Sequence, residues 1–403
     1  MPVNPPWLDP ALPVSGFRVE TASCGVKSPE LKGRRDDVAL VVSEVDVQAA
    51  GVFTQNRFRA ACVSLAEETL SRNAAGIRAI IANAGNANAG TGDTGRTRAQ
   101  EMIEAAAATA GVKLDQVLSA STGIIGTPFP IERIREGMQQ AVDSLNPGNW
   151  EAAANAIRTT DTFAKWTSRK VDGYTITGIA KGSGMIHPDM ATMLAFIATD
   201  APLSATQLQP VLKRAVDQSF NCISVDGDTS TNDTVYLLSS GIGLGHAPLE
   251  DVAAFEAALT EVCTELAQLI VRDGEGVSKF VTIEVTGAAS EADARTVGRA
   301  IAASLLVKTA FAGSDANWGR MLCAIGNSGV AVDTHRVSLR ADKVTMVEHG
   351  NLNPDYRDED GMAVFAQDEF TLHVDLGMGK ASATVWTGDL THEYIRINAE
   401  YRT

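Results

Sequence analysis

Apolar residues return every three or four positions in five stretches of this chain. Ten shorter stretches are apolar-rich, and several of them alternate apolar and polar residues. The first spacing lays one helix face against a core, and the second does so for one face of a sheet. Helices are therefore predicted at 97–112, 130–145, 204–220, 248–273 and 290–311. The first is Ala-rich and closes on Gly111. The second has Pro130 in its first turn, where a missing N–H costs nothing. Ser204 is a candidate N-cap for the third, which carries Pro210 inside it. Strands are predicted at 37–45, 79–84, 117–122, 173–180, 192–200, 234–240, 280–287, 336–342, 370–377 and 382–389. Hairpins interleaved with helices imply an α/β layered sandwich, not an all-parallel doubly wound sheet. A domain boundary is expected at 280–290, where the longest helix ends in "DGEGVSK".

Composition narrows the function. The chain has 403 residues and is 45% hydrophobic, enough for two or three domains or one large domain with an added lobe. No apolar run is long enough to span a bilayer. The N-terminal stretch lacks the basic-then-apolar order of a secretory signal. Cys24, Cys62, Cys222, Cys263 and Cys323 are odd in number and never spaced C-x-x-C, so neither a disulfide framework nor a cysteine zinc site is expected. A reducing cytoplasm fits that usage. A net charge of −15 argues against nucleic acid and anionic membranes as partners and leaves small molecules.

Five loops dense in Gly, Asn, Ser and Thr interrupt the strands: 83–95, 121–128, 181–185, 224–233 and 312–320. Any one of them is explained by turn chemistry. None is a phosphate-binding loop, and none has the dinucleotide fingerprint. Together they bring backbone N–H groups and short hydroxyls to strand ends, an arrangement that can stabilise an oxyanion.

The stretch "GMIHPDMATMLAFIATDA" (184–201) poses the sharpest question. Thr192 stands where a loop enters an apolar strand. It can simply start that strand. Alternatively it is a nucleophile. If the Ala191–Thr192 bond is cut, Thr192 gains a free α-amine that can accept its own hydroxyl proton near neutral pH. The hydroxyl could itself make the cut by attacking the Ala191 carbonyl. His187 is the nearest histidine and reads as a loop or packing residue. No second ligand lies at metal spacing from it, so no metal is expected.

These blocks resemble the ornithine acetyltransferase family, bifunctional glutamate N-acetyltransferases of arginine biosynthesis. The likeness runs through "GVFTQNRFRAACV", "NAGNANAGTG", "STGIIG", "TTDTF", the block 181–201, "SVDGDTSTND", "RDGEGVSKF", "DANWGR" and "YIRINAEYRT". It implies an α-β-β-α sandwich with mixed sheets, of N-terminal-nucleophile type, plus a smaller C-terminal α/β lobe. The catalytic core would be 1–285, and the lobe 286–403 would return its tail to the active site. The resemblance also implies self-cleavage between Ala191 and Thr192 into an α chain (1–191) and a β chain (192–403), assembled as a heterotetramer of two of each. Thr192 would be the nucleophile, and Thr122 with Gly123 the oxyanion hole. Substrate contacts would fall on Thr159, Lys181, Thr192, Glu275, Asn398 and Thr403, with Thr160 and Thr162 as close neighbours of Thr159.

By this likeness acetyl passes from N2-acetyl-L-ornithine to L-glutamate through acetyl-Thr192. No cofactor is needed, and acetyl-CoA is a second candidate donor. Asp189 and Ala316 depart from the family's usual Asn and Pro. Two other readings predict different behaviour. An aminopeptidase or amidase of related fold would drain the acyl-enzyme with water. A non-catalytic amino-acid-binding protein would stay intact.

Overall fold

The computed structural model describes residues 2–141, 146, 148–171, 173–187, 193–247 and 249–400. The fold turns on one long strand, Val38–Phe53. Its even-numbered residues Val38, Leu40 and Val42 face one apolar cluster, while Ala39 and Val41 face a second. Beyond a register shift between Val42 and Val47, Val47, Ala49 and Phe53 stay in the second cluster. Ala50 and Val52 now meet a third. One strand thus serves two sheet halves that share an inner face and have different outer faces.

The eight-stranded sheet runs Val117–Ile124, Ile77–Asn86, Val38–Phe53, Thr234–Ser239, Leu194–Thr199, Tyr174–Lys181, Lys165–Val171, with Phe17–Ala22 added beside the long strand. Its pairings are mixed: Ile77–Asn86 with Val117–Ile124 and Leu194–Thr199 with Thr234–Ser239 are parallel, and the rest are antiparallel. Helices Gly92–Ala110 and Ile131–Ala141 cover one outer face. Helices Ala205–Gln218 and Val252–Arg272 cover the other. Helices Ala61–Asn73 and Trp150–Ala156 supply apolar residues to the inner layer. The result is the expected α-β-β-α sandwich. Tyr236 fastens it from inside, stacking on Phe196 and donating its hydroxyl to the Ser119 carbonyl at 2.8 Å. Each large apolar side chain buried in that layer stabilises it by about 1.5–3 kcal/mol.

A second, seven-stranded mixed sheet holds Asn351–Leu352, Val344–Glu348, Ser338–Ala341, Glu369–Asp375, Phe280–Ala288, Ala381–Gly388 and Ile223–Ser224, in that order. Helices Glu291–Ala303, Leu305–Ala312, Trp318–Gly326 and Asp358–Phe365 contribute buried residues to its core. The 285/286 position falls inside strand Phe280–Ala288. Its core is continuous with that of helices Ala205–Gln218 and Val252–Arg272.

Several predicted elements change at their ends. The single helix expected at 290–311 is two, because Ser304 leaves helical geometry (ψ 113°) and its hydroxyl accepts from the Val307 N–H. The helix expected from 97 starts at Gly92, and that expected from 248 starts at Val252, capped by Asp251. The strand expected from 192 begins at Leu194. Strands Phe17–Ala22 and Lys165–Val171 and helices Ala61–Asn73, Trp150–Ala156 and His392–Glu400 are additional to the predicted elements. Among the described residues no helix is long and apolar enough to cross a membrane.

Candidate functional site

A pocket of about 260 Å³ opens where the ends of several strands meet. Strand register builds its floor. Lys181, the last residue of its strand, pairs with Leu194, and Leu194 pairs with Thr234. The Thr234 N–H donates to the Met193 carbonyl at 2.9 Å. Lys181, Met193 and Asp233 therefore gather at one level of three adjacent strands, and all three line the pocket.

The opposite wall comes from the other sheet half. Thr122 and Gly123 lie at the end of Val117–Ile124, in parallel register with Ala84 and Gly85. Gly123 has φ +131°, and a Cβ there would lie 2.3 Å from the Gly85 carbonyl carbon. Only glycine allows this approach. Asn232 ties the two walls together, donating its amide to the Ser121 and Ala87 carbonyls at 2.8 and 2.6 Å.

The C-terminal helix His392–Glu400 completes the rim. The Thr391 hydroxyl donates to the Gly276 carbonyl at 2.6 Å. Gly276 has φ +68°, and a Cβ there would lie 2.3 Å from the Tyr394 nitrogen. Asn398 donates to Glu275 Oε2 at 2.9 Å, and the Tyr394 hydroxyl to Asp226 Oδ2 at 3.3 Å. Thus Thr122, Gly123, Thr159, Lys181, Glu275 and Asn398 all border one pocket, although they come from distant parts of the chain. Ala191, Thr192 and Thr403 lie outside the described residues, as does Asp189. Among the three close threonines, Thr159 and Thr160 line the pocket, whereas the Thr162 hydroxyl donates to Asp273.

Below the pocket lies a sealed ionic cluster. Lys165 is fully buried between Asp161 (2.8 Å) and Asp273 (2.6 Å). Asp161 also accepts the N–H groups of Gly182 (2.6 Å) and Thr159 (3.0 Å). It thereby fixes the residue after Lys181 and one pocket threonine. Burial alone would raise the Asp161 carboxyl, but Lys165 and Lys181 outweigh it and hold it below the ordinary value. Asp273 is raised, chiefly by burial.

Residues of 224–233 form much of the pocket, although the sequence offered them as a Gly-rich loop and a block of the family likeness and not as site residues. Asp226 accepts from the N–H groups of Met185 (2.6 Å) and Ile186 (2.8 Å), and so holds the segment leading to 188–192. Burial raises its carboxyl. Asp233 is buried, and burial raises it well above the ordinary carboxyl value while Lys181 pulls it back. The available signal was the density of Asp and hydroxyl residues just before an apolar strand. His187 packs as expected, with Nδ1 3.0 Å from the Ser224 hydroxyl and Nε2 3.0 Å from Arg299. Among the described residues no group of three or more His, Cys, Asp or Glu is placed to hold a metal.

Relatives share this chain almost end to end. The arginine biosynthesis bifunctional protein ArgJ of Methylococcus capsulatus is 48% identical over 401 residues, covering 97% of this chain and 96% of its own. That of Pseudomonas fluorescens is 46% identical over 400 residues, covering 97% of each. The crystal structure of the Bacillus halodurans protein of that name is 40% identical with a TM-score of 0.50, covering 52% of this chain and 100% of its own. The ArgJ family matches residues 18–403, and the chain belongs to the ArgJ family.

Proposed function

We infer that this protein is an acetyltransferase of arginine biosynthesis that moves acetyl from N2-acetyl-L-ornithine to L-glutamate. The observation that carries the reading is the single pocket that collects Thr122, Gly123, Thr159, Lys181, Glu275 and Asn398 beside Met193, the residue following Thr192. Family membership and the relatives' shared name support the same pathway.

In the proposed cycle the chain first cuts itself between Ala191 and Thr192. The Thr192 hydroxyl then attacks the acetyl carbonyl, and its proton passes through the new α-amine to the departing nitrogen. Thr122 and Gly123 donate to the oxyanion, each such donor being worth roughly 3 kcal/mol. Lys181 holds the substrate carboxylate as a point charge. Glu275, oriented by Asn398, meets the ornithine side-chain ammonium. Thr159 and Thr403 contact the bound amino acid. Ornithine leaves an acetyl-Thr192 ester, which glutamate then takes over. The cycle uses no cofactor, and acetyl-CoA is a second proposed donor.

The halves are proposed to assemble as two α and two β chains. All five cysteines are free and four are buried, which supports a cytoplasmic setting.

The test is to incubate purified protein with acetylornithine, with and without glutamate, and to weigh its chains. Two fragments, the second starting at Thr192, and glutamate-dependent N-acetylglutamate are expected. Acetate as the only product would make the protein a hydrolase. An intact chain that binds amino acids without turnover would make it a binding protein.

A further inference from the structure

Each half of that cycle leaves a proton to be placed. When the C–N bond of acetylornithine breaks, the Thr192 hydroxyl proton makes ornithine a neutral amine. In water that amine takes one more proton. Glutamate then arrives as an ammonium, and its nitrogen has no lone pair for attack until a proton leaves. A group that gives a proton in the first half and recovers one in the second would close the cycle.

Such a group must face the pocket, be buried, and keep an oxygen uncommitted. Asp226 fails, since both its oxygens accept backbone N–H groups. Glu275 accepts from Asn398 at one oxygen and is already assigned to the ornithine side-chain ammonium. Asp228 is exposed. The Tyr394 phenol donates to Asp226. Asp233 meets every condition. It is 2% exposed and lines the pocket, and its Oδ2 has no hydrogen-bond partner among the described residues. It precedes Thr234, whose N–H is bonded to Met193, so it stands beside the start of the proposed nucleophile's strand.

We propose that Asp233 is a proton carrier for the substrate nitrogen, an inference that rests on the acetyl-transfer reading. In the first half the acetyl C–N bond breaks, the C–O bond to Thr192 forms, and ornithine leaves as an ammonium with the Asp233 proton. In the second half the Asp233 carboxylate takes a proton from the glutamate ammonium. The freed amine attacks the ester, the C–O bond breaks, and the amine's second proton restores the Thr192 hydroxyl. No proton is gained or lost over the cycle. Burial favours the acid, while the Ser230 hydroxyl, Lys181 and the Thr54 hydroxyl favour the carboxylate. The other titratable groups on this pocket are Asp226, Asp228, Glu275 and Tyr394, and the Ser230 and Thr54 hydroxyls lie close to Asp233.

Asp233→Asn tests the assignment with two acetyl acceptors, glutamate and hydroxylamine, the second of which carries no proton in mildly alkaline solution. Rates are read across pH on protein whose chain masses match the wild type. From pre-formed acetyl-enzyme, which isolates the second half, transfer to glutamate should fall on the order of 100-fold near neutrality and climb about tenfold per pH unit, while transfer to hydroxylamine, which has no proton for Asp233 to take, stays within roughly threefold of wild type. Equal loss with both acceptors, or loss with neither, overturns the proposal. If the variant does not mature, the wild-type profile decides. A glutamate rate nearly flat through neutrality supports the carrier, and a tenfold rise per unit overturns it. Wild-type protein that makes no N-acetylglutamate would overturn the acetyl-transfer reading itself.

Discussion

Two groups of buried charge lie close together in this molecule and are built on opposite rules. Around Lys165 every charge is answered: Asp161 and Asp273 close on it, and Thr162 and two backbone N–H groups fill their remaining positions. Around Lys181 the cluster is open to the pocket, and one Asp233 oxygen has no hydrogen-bond partner among the described residues. Burial of charge therefore does not mark a reaction site. Hydrogen-bonding capacity left unused in a cavity does, because leaving it unused costs stability that only a ligand can return. The closed cluster holds the loops that carry the open one.

The comparison can be broken in several ways. Thr192→Ala should have the largest effect, leaving one intact chain by mass and lowering acetyl transfer on the order of 10,000-fold or more. Lys165→Met attacks the closed cluster. It strands two buried carboxyls and should cost about 3–5 kcal/mol in urea unfolding. A loss below 1 kcal/mol would mean that the cluster is not structural. Thr122→Ala attacks the open wall. It should cost roughly 3 kcal/mol of transition-state stabilisation in kcat/KM, with the urea midpoint nearly unchanged.

Smaller effects follow from pH. Asp161 has a lowered carboxyl value, so its stabilisation is complete above the ordinary value of 3.8 and is lost as pH falls through the lowered one. Asp273 is raised, so it favours the folded state at low pH and loses that contribution as pH rises through its raised value. Unfolding midpoints of Asp161→Asn should thus depend less on acid than those of the wild type. Lys308 offers a contrast with Lys165. It is fully buried, but its nearest partners are the Thr387 hydroxyl at 2.9 Å and the Gly388 carbonyl, and burial lowers it to about 8. Its ammonium is stabilised less in the folded than in the unfolded chain, so this group makes stability rise with pH from about 8 toward 10.5. Lys308→Met should flatten that rise.

Much of the architecture was readable. The apolar runs in 37–45 and 234–240 gave central strands, since both are short and rich in β-branched or aromatic residues, as a fully buried strand requires. The break at Ser304 was not readable, because its hydroxyl caps only after the backbone turns. Helix Trp150–Ala156 is short and Ala-rich, too small for a periodic signal. Lys181 and Glu275, which border the pocket, were proposed through their motif blocks. Asp233 was passed over because a carboxyl in a Gly-rich loop looks solvated until its burial is known.

The sequence by itself determined most of the strands and helices and that the layers are α/β, because side-chain spacing and turn chemistry act locally. Only the tertiary structure decided that six residues from distant segments share one pocket, that Lys165 is sealed while Lys181 is open, and that one Asp233 oxygen has no partner among the described residues. Burial and hydrogen-bond satisfaction depend on what every other segment of the chain leaves uncovered.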